Sequence, residues 1–156
     1  MLNEEDRAIY DWQLDVPGFG EDGQERLRNT TALVSRIGGL GGPVAFALAA
    51  AGIGKLILVH AGNLRKDDLN RQILMRWEGL GKPRVQSAAE TLSAFNPRIE
   101  IEVHDENFKE ENAADLVKGA DLIFSCAPLF EERFLMNREC VRQDKPMIDC
   151  AMYNLD

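Results

Sequence analysis

The feature that most constrains the fold is a glycine-rich turn between an apolar run and an alanine-rich run. The turn spans residues 35–43 and reads SRIGGLGGP, after Ala32–Val34 and before Val44–Ala51. Phosphate-binding sites typically have this order of elements: a strand, then a glycine turn, then the start of a helix. Glycine lets the backbone approach a phosphate, and the helix N-terminus presents free N–H groups to it. Arg36, however, takes the place of the first glycine of the usual G-x-G-x-x-G pattern.

The rest of the chain alternates short apolar runs with longer helical patterns. Strands are predicted at Ala32–Ile37, Lys55–His60, Glu100–His104, Leu122–Cys126 and Met147–Cys150. Helices are predicted at Glu21–Arg28, Pro43–Ala51, Arg84–Phe95, Glu110–Lys118 and Glu131–Gln143. Strands separated by such helices pair in parallel through right-handed crossovers. The pattern therefore predicts an α/β fold with a Rossmann-like, doubly wound parallel sheet in the order 3-2-1-4-5, with Ala32–Ile37 central.

Length and charge limit the class of protein. A chain of 156 residues suits one compact unit, divided here into an N-terminal helical segment, 1–30, and a nucleotide-binding domain, 31–156. The net charge of −8 disfavours a nucleic-acid partner, and no apolar run reaches membrane-spanning length. Cys126, Cys140 and Cys150 lack C-x-x-C spacing and are predicted to be reduced thiols in a cytoplasmic protein.

Four short motifs occur in a characteristic order. They are Y-D-x-Q at residues 10–13, G-G-L-G at 38–41, A-G-I-G at 51–54 and L-N-R-Q at 69–72. With these motifs the chain resembles the ThiF/MoeB/HesA family, the bacterial relatives of ubiquitin-activating enzymes. Members of that family usually continue into a C-terminal half that docks a ubiquitin-like tail and often holds a cysteine-bound zinc. The resemblance therefore implies that this sequence lacks the usual C-terminal half, and we expect no zinc site in it.

The resemblance implies an ATP-dependent adenylyltransferase. Family members bind ATP with Mg²⁺ over the glycine turn. The C-terminal carboxylate of a ubiquitin-like or sulfur-carrier protein then attacks the α-phosphate and becomes an acyl-adenylate. This chemistry depends on positioning the triphosphate and on neutralising the charge that develops as pyrophosphate leaves.

The resemblance also implies a set of site residues. The family's ribose-binding acid falls on His60, and its lysine after the G-x-P turn falls on Arg84, for which Lys82 could substitute. Arg71 is the expected catalytic residue. The expected cofactor-binding residues are Arg36, Gly38, Gly39, Gly41, His60, Asn70, Arg71, Gln72, Lys82 and Arg84.

Several of these positions depart from the family pattern. The arginine of the family's first motif falls on Trp12, and the aspartate that holds Mg²⁺ falls on Pro128. Glu131 and Glu132, which follow, are expected on the solvated face of a helix. We therefore expect a degenerate site without a metal ligand set. Arg36 either blocks the glycine turn or acts as a side-chain clamp on a phosphate.

Three functions remain open at this level. The sequence favours a non-catalytic subunit, or pseudoenzyme, that forms a homodimer or a heterodimer with an active relative. Trp12, Phe19 and Trp77 could provide the apolar contact. The second hypothesis is a noncanonical active adenylyltransferase. The third is a dinucleotide-binding oxidoreductase, which the lack of an acid at the end of the second strand disfavours.

Overall fold

Five parallel strands form one sheet in the computed structural model of the protein, which describes residues 2–152. The strands are β1 (Thr31–Ser35), β2 (Lys55–Val59), β3 (Glu100–His104), β4 (Leu122–Ser125) and β5 (Met147–Asp149). Their order in the sheet is β3-β2-β1-β4-β5, and β1 pairs in parallel with both β2 and β4. The predicted Rossmann-like α/β fold and its strand order are confirmed.

Helices cover both faces of this sheet. They are α1 (Glu4–Leu14), α2 (Gly20–Arg28), α3 (Gly41–Ala51), α4 (Arg84–Phe95), α5 (Ala113–Lys118) and α6 (Phe130–Arg142). Two short 3₁₀ turns, Lys66–Asp68 and Trp77–Gly79, interrupt the long connection between β2 and α4. The prediction began α5 at Glu110, but the Asn112 side chain bonds to the backbone of its neighbours and holds a turn there instead.

Successive side chains of β1 enter the two layers of the core. Val34 packs with Leu58 on the side of α3 and α4, while Leu33 packs with Ile123 and Met136 on the side of α5 and α6. A parallel sheet that is covered on both faces needs apolar residues at consecutive positions, and this is why the strands read as continuous apolar runs.

Four predicted strands end earlier than the sequence indicated: β5 ends before Cys150, and the other three end just before a residue that lines the cavity described below. Arg36 leaves the extended conformation with a φ of 54°, so β1 ends at Ser35. β2 ends before His60, and β4 ends before Cys126. Arg36, His60 and Cys126 therefore lie side by side at the carboxyl edge of the sheet.

The N-terminal helices pack at the opposite, amino-terminal edge of the strands. Asn3 caps α1, and the buried carboxylate of Asp6 forms ion pairs with Arg28 and Arg98. The backbone hydrogen bond from Asn3 contributes most to lowering the pKa of Asp6, against the effect of burial. The division at residue 30 stays a prediction. None of the helices in residues 2–152 is long and apolar enough to cross a bilayer.

Candidate functional site

A cavity of about 540 Å³ opens at the carboxyl ends of β1 and β4. These two strands lie at the point where the strand order of the sheet reverses, and this is where open α/β sheets bind ligands. The walls of the cavity come from the glycine turn, the L-N-R-Q segment, the turn after β4 and the start of α6. The lining residues are Arg36, Gly38, Gly39, Leu40, His60, Arg71, Gln72, Cys126, Ala127, Pro128, Phe130, Arg133 and Met152.

The glycine turn leaves little room for side chains. A Cβ on Gly41 would lie 2.6 Å from the carbonyl oxygen of Arg36, which is a backbone atom and cannot swing away. A Cβ on Gly39 would lie 3.3 Å from Cγ of Arg71, so the Arg71 side chain packs directly over the turn. The turn thus presents backbone to the cavity and leads into the N-terminus of α3, an arrangement suited to an anion.

Arg36 lines the cavity, and its guanidinium is paired with Glu132 of α6. Nε of Arg36 donates to Oε2 of Glu132 at 2.9 Å, and Nη2 donates to Oε1. The expectation that Glu132 lies on a solvated face is wrong, because Glu132 is buried against this arginine, whereas Glu131 is exposed. The bidentate pair offsets the cost of burying the carboxylate.

Two residues that line the cavity, His60 and Gln72, each carry a buried polar atom without a partner in the described part of the chain. His60 is 8% exposed and Gln72 is 5% exposed, and both lie beside Gly38. Nδ1 of His60 and Oε1 of Gln72 have no hydrogen-bond partner among residues 2–152. Buried polar groups in folded proteins are normally paired, so these two atoms indicate a place for a polar ligand.

His60 is neutral at physiological pH. Burial, together with the nearby cations Arg36 and Arg84, lowers the pKa of its imidazole to about 4. The ring therefore offers the cavity one acceptor nitrogen or one N–H, according to its tautomer, and carries no charge.

Asp68 organises the L-N-R-Q segment, and the sequence analysis missed it. Its buried carboxylate accepts from Nη2 of Arg84 at 2.8 Å, from Nε2 of Gln72 at 2.6 Å and from the backbone N–H of Arg65 at 3.0 Å. Burial acts to raise the pKa of Asp68, but the hydrogen bonds from Arg65 and Arg84 outweigh it and lower the pKa. An acid just before L-N-R-Q was the available signal for this role.

The structure brings six of the expected cofactor-binding residues to the cavity and places four elsewhere. Arg36, Gly38, Gly39, His60, Arg71 and Gln72 line the cavity. Gly41 lies under the turn, and Arg84 is directed at Asp68 and the carbonyl of Ala61. Asn70 accepts from Arg71 on the surface, and Lys82 is exposed.

Arg133 is a further cation at the cavity that the sequence analysis did not select. Its Nε donates to the carbonyl of Ala127 at 2.7 Å, and its two terminal nitrogens donate to Asp149 and to the carbonyl of Cys150. Arg133 thereby joins the turn after β4 to the end of β5. Its position on the first turns of α6 gave no sequence signal of this contact.

The residues around the cavity do not fit the Mg²⁺ ion that the family resemblance implies. Among the cavity-lining residues in the described part of the chain there is no carboxylate, and Pro128, onto which the resemblance places the family's metal-binding acid, is one of them. The carboxylates nearby, Glu132, Asp149 and Asp68, are paired with Arg36, Arg133 and Arg84 respectively. A hard divalent ion prefers carboxylate and carbonyl oxygens, and here it would face guanidinium groups instead.

Cys126 lines the cavity but is not an activated nucleophile. Burial raises the pKa of its thiol, and the neighbouring Cys150 adds to that shift. The buried Cys140 thiol has its pKa raised by burial as well. Both groups therefore stay protonated at neutral pH, whereas nucleophilic cysteines need a lowered pKa.

Comparison with known proteins relates this geometry to a family. The profile described as ThiF family matches residues 10–156. Protein HesA, heterocyst, of Trichormus variabilis is 49% identical over 147 residues, which are 94% of this chain and 55% of that protein. The probable adenylyltransferase/sulfurtransferase MoeZ of Mycobacterium tuberculosis is 36% identical over 155 residues, which are 99% of this chain and 40% of that protein.

A solved structure agrees with these sequence relatives. Escherichia coli MccB with ATP superimposes with a TM-score of 0.74 at 26% identity, covering 84% of this chain and 39% of that chain. The chain therefore spans about half, or less, of the length of these proteins. Since the family profile matches nearly the whole sequence, this chain belongs to the ThiF family.

Proposed function

We propose that this chain is the nucleotide-binding part of an adenylyltransferase-type protein and that it binds ATP in the cavity at the ends of β1 and β4. The observation that carries the proposal is the pair of buried, unpartnered atoms, Nδ1 of His60 and Oε1 of Gln72, beside the glycine turn. The names of the relatives support it, because MoeZ is named as an adenylyltransferase and MccB was solved with ATP.

The surroundings of the cavity suit the parts of a nucleotide. Gly38 and Gly39 present backbone at the start of α3, where the phosphates would lie, and Arg71 packs over Gly39 as a cation. Leu40 and Phe130 supply apolar surface for a base. His60 would offer the ribose a single hydrogen bond, where a carboxylate would accept two.

In our proposal the chain is a non-catalytic subunit. Metal-assisted adenylation needs a carboxylate to hold Mg²⁺, and Pro128 occupies that position on the cavity wall. The partner would be a second copy or an active relative, and the substrate of the assembly would be a ubiquitin-like or sulfur-carrier protein. The net charge of −8 argues against nucleic acid as the partner.

A specific observation favours the second candidate, a noncanonical active adenylyltransferase. The guanidinium of Arg36 is already oriented in the cavity by Glu132, and a preorganised cation can stabilise negative charge in a phosphoryl transition state. The oxidoreductase hypothesis gains no such support, because the residue after β2 is a neutral His60 and not an acid.

The cellular location also remains a proposal. Cys126, Cys140 and Cys150 are free thiols in the structure, which suits a reducing compartment such as the cytoplasm.

Calorimetry and an exchange assay test the proposed function together. We expect the purified protein to bind ATP, and to show no ATP–pyrophosphate exchange either alone or with ubiquitin-like and sulfur-carrier proteins. Absence of ATP binding would overturn the proposed nucleotide site. Robust exchange by the protein would overturn the non-catalytic assignment and establish the second candidate.

A further inference from the structure

We propose that this cavity takes the nucleotide polyphosphate without a divalent cation, with the Arg36 guanidinium, held by Glu132, in the place of the metal. The inference rests on the proposed function, since it concerns the form of ATP that the site binds. It departs from what the family resemblance implies and follows from three features of the cavity.

The first feature is that two departures from the family pattern lie together. Arg36 follows β1, and Pro128 follows β4 after two residues. These strands are neighbours, and the backbone N–H of Cys126 donates to Oγ of Ser35 at 2.9 Å, just before both positions. Arg36 and Pro128 line the same cavity. The loss of an acid at one position and the gain of a cation at the other therefore affect one local charge balance.

The second feature is the way in which Arg36 is held. Glu132 occupies Nε and one terminal nitrogen of the guanidinium and does not itself line the cavity, so Nη1 remains available to a ligand. A guanidinium presents five donors, and pairing with a carboxylate on one edge fixes the direction of the others. This is how a protein positions a cation for a phosphate oxygen.

The third feature is the charge of the cavity wall. Arg36, Arg71 and Arg133 line the cavity, and none of the lining residues that the structure describes is acidic. Each of these guanidinium groups has a carboxylate partner outside the lining, namely Glu132, Asp68 and Asp149. Among the described residues, the wall therefore offers N–H donors to the phosphate oxygens of ATP and no carboxylate to a divalent cation. Mg²⁺ bound to ATP would occupy phosphate oxygens that these groups would otherwise contact, so the metal complex is the poorer ligand.

Titration calorimetry with ATP, once with excess EDTA and once with excess MgCl₂, tests the inference on the unmodified protein. We expect binding in EDTA that is as tight as, or tighter than, binding with Mg²⁺. Binding that Mg²⁺ strengthens more than about threefold would overturn the inference and leave the proposed function standing. Absence of binding in both conditions would instead overturn the proposed function itself.

A charge-neutral variant tests the role of Arg36. Arg36→Gln/Glu132→Gln removes the cation without leaving a buried carboxylate uncompensated, and we expect it to bind ATP in EDTA about 10-fold or more weakly. Arg138→Gln/Glu110→Gln is the matched control, because that exposed pair joins the same helix to the loop between β3 and α5. We expect the control to bind as the unmodified protein does. Equal affinity of the two variants, both folded by circular dichroism, would overturn the inference.

The reverse exchange gives a second, independent readout. Arg36→Gln/Glu132→Gln/Pro128→Asp removes the cation together with its buried carboxylate partner and restores an acid where the family pattern has one. We expect this variant to bind ATP at least about 10-fold more tightly with Mg²⁺ than with EDTA. ATP binding by this variant that is indifferent to Mg²⁺ would contradict the assignment of Arg36 to the place of the metal.

Discussion

At the scale of single residues, Arg36 combines an unfavourable backbone with a favourable side-chain contact. Its φ of 54° lies in the left-handed region, where a residue with a Cβ costs about 1–2 kcal/mol. Glycine, which the family pattern has here, would avoid that cost. Arginine remains compatible with the fold because its side chain neutralises the buried carboxylate of Glu132.

We predict that Arg36→Gly lowers the free energy of unfolding by about 2 kcal/mol at neutral pH. The backbone is relieved, but the loss of the ion pair leaves Glu132 buried and unpaired, and that cost is larger. Urea denaturation measures the change. The double variant Arg36→Gly/Glu132→Gln should recover most of the loss, because it removes the unpaired charge of Glu132 and still has glycine at the position with positive φ. A double variant no more stable than Arg36→Gly would show that the ion pair is not the cause.

His60 makes stability depend on pH in the acid range. The folded pKa of about 4 lies below the ordinary value of 6.5, so below pH 6.5 the unfolded chain takes up a proton that the folded protein does not. Stability attributable to His60 is therefore complete above pH 6.5 and falls as the pH drops towards 4. The full loss is about 3 kcal/mol.

We predict that His60→Gln removes this part of the pH dependence. Urea denaturation of both proteins between pH 7 and pH 4 should show the unmodified protein losing more stability than the variant on acidification. Parallel curves for the two proteins would mean that His60 is not held neutral by its surroundings.

At the scale of elements, the glycine turn and α3 depend on two adjacent glycines in different ways. A Cβ on Gly41 would lie 2.6 Å from the Arg36 carbonyl oxygen, whereas a Cβ on Gly42 would lie 3.7 Å from Leu74, an ordinary contact. The two residues are neighbours at the start of one helix, so they form a matched pair of test positions.

We predict that Gly41→Ala destabilises the protein by about 1–3 kcal/mol and weakens ATP binding, because the turn must shift away from the added methyl group. Gly42→Ala should be neutral or slightly stabilising, since alanine is the better helix former. Thermal unfolding and calorimetry of the two variants measure both effects. Equal behaviour of the two variants would argue against a tight turn at Gly41.

At the scale of the whole molecule, exposed aromatic side chains suggest how the protein associates. Trp12 on α1 is 89% exposed and Trp77 is 65% exposed, whereas Phe19 is half-buried and lies over Gly23. Large apolar side chains left open to water are typical of association surfaces. Of the three residues expected to form the contact, the two tryptophans are therefore the ones to test.

We predict that the protein is not a monomer at micromolar concentration and that Trp12→Ser/Trp77→Ser weakens its association. Sedimentation velocity measures this directly. Arg138→Gln/Glu110→Gln, which changes an exposed ion pair and no apolar side chain, is the control and should leave the association unchanged. The prediction would be contradicted if the unmodified protein sedimented as a monomer and no partner was recovered with it in a pull-down.

The sequence by itself determined the layout of the sheet and the identity of its central turn. Apolar runs separated by helical patterns predicted the five strands, because side-chain periodicity is a local property of the chain. The right-handed crossover rule and the glycine turn after β1 then predicted their order. The glycine turn could also be recognised from the sequence, because the glycines that its backbone conformation requires lie within a few positions of one another.

The composition of the site was decided by tertiary structure. Arg36 forms an ion pair with Glu132, which is 96 positions away in the sequence. Arg84 forms its ion pair with Asp68 and does not line the cavity. A charged side chain adopts whichever partner the fold brings within hydrogen-bonding distance, and the cost of burial makes that pairing decisive. No local pattern encodes such a choice, because it depends on where β1, β4 and α6 meet in space.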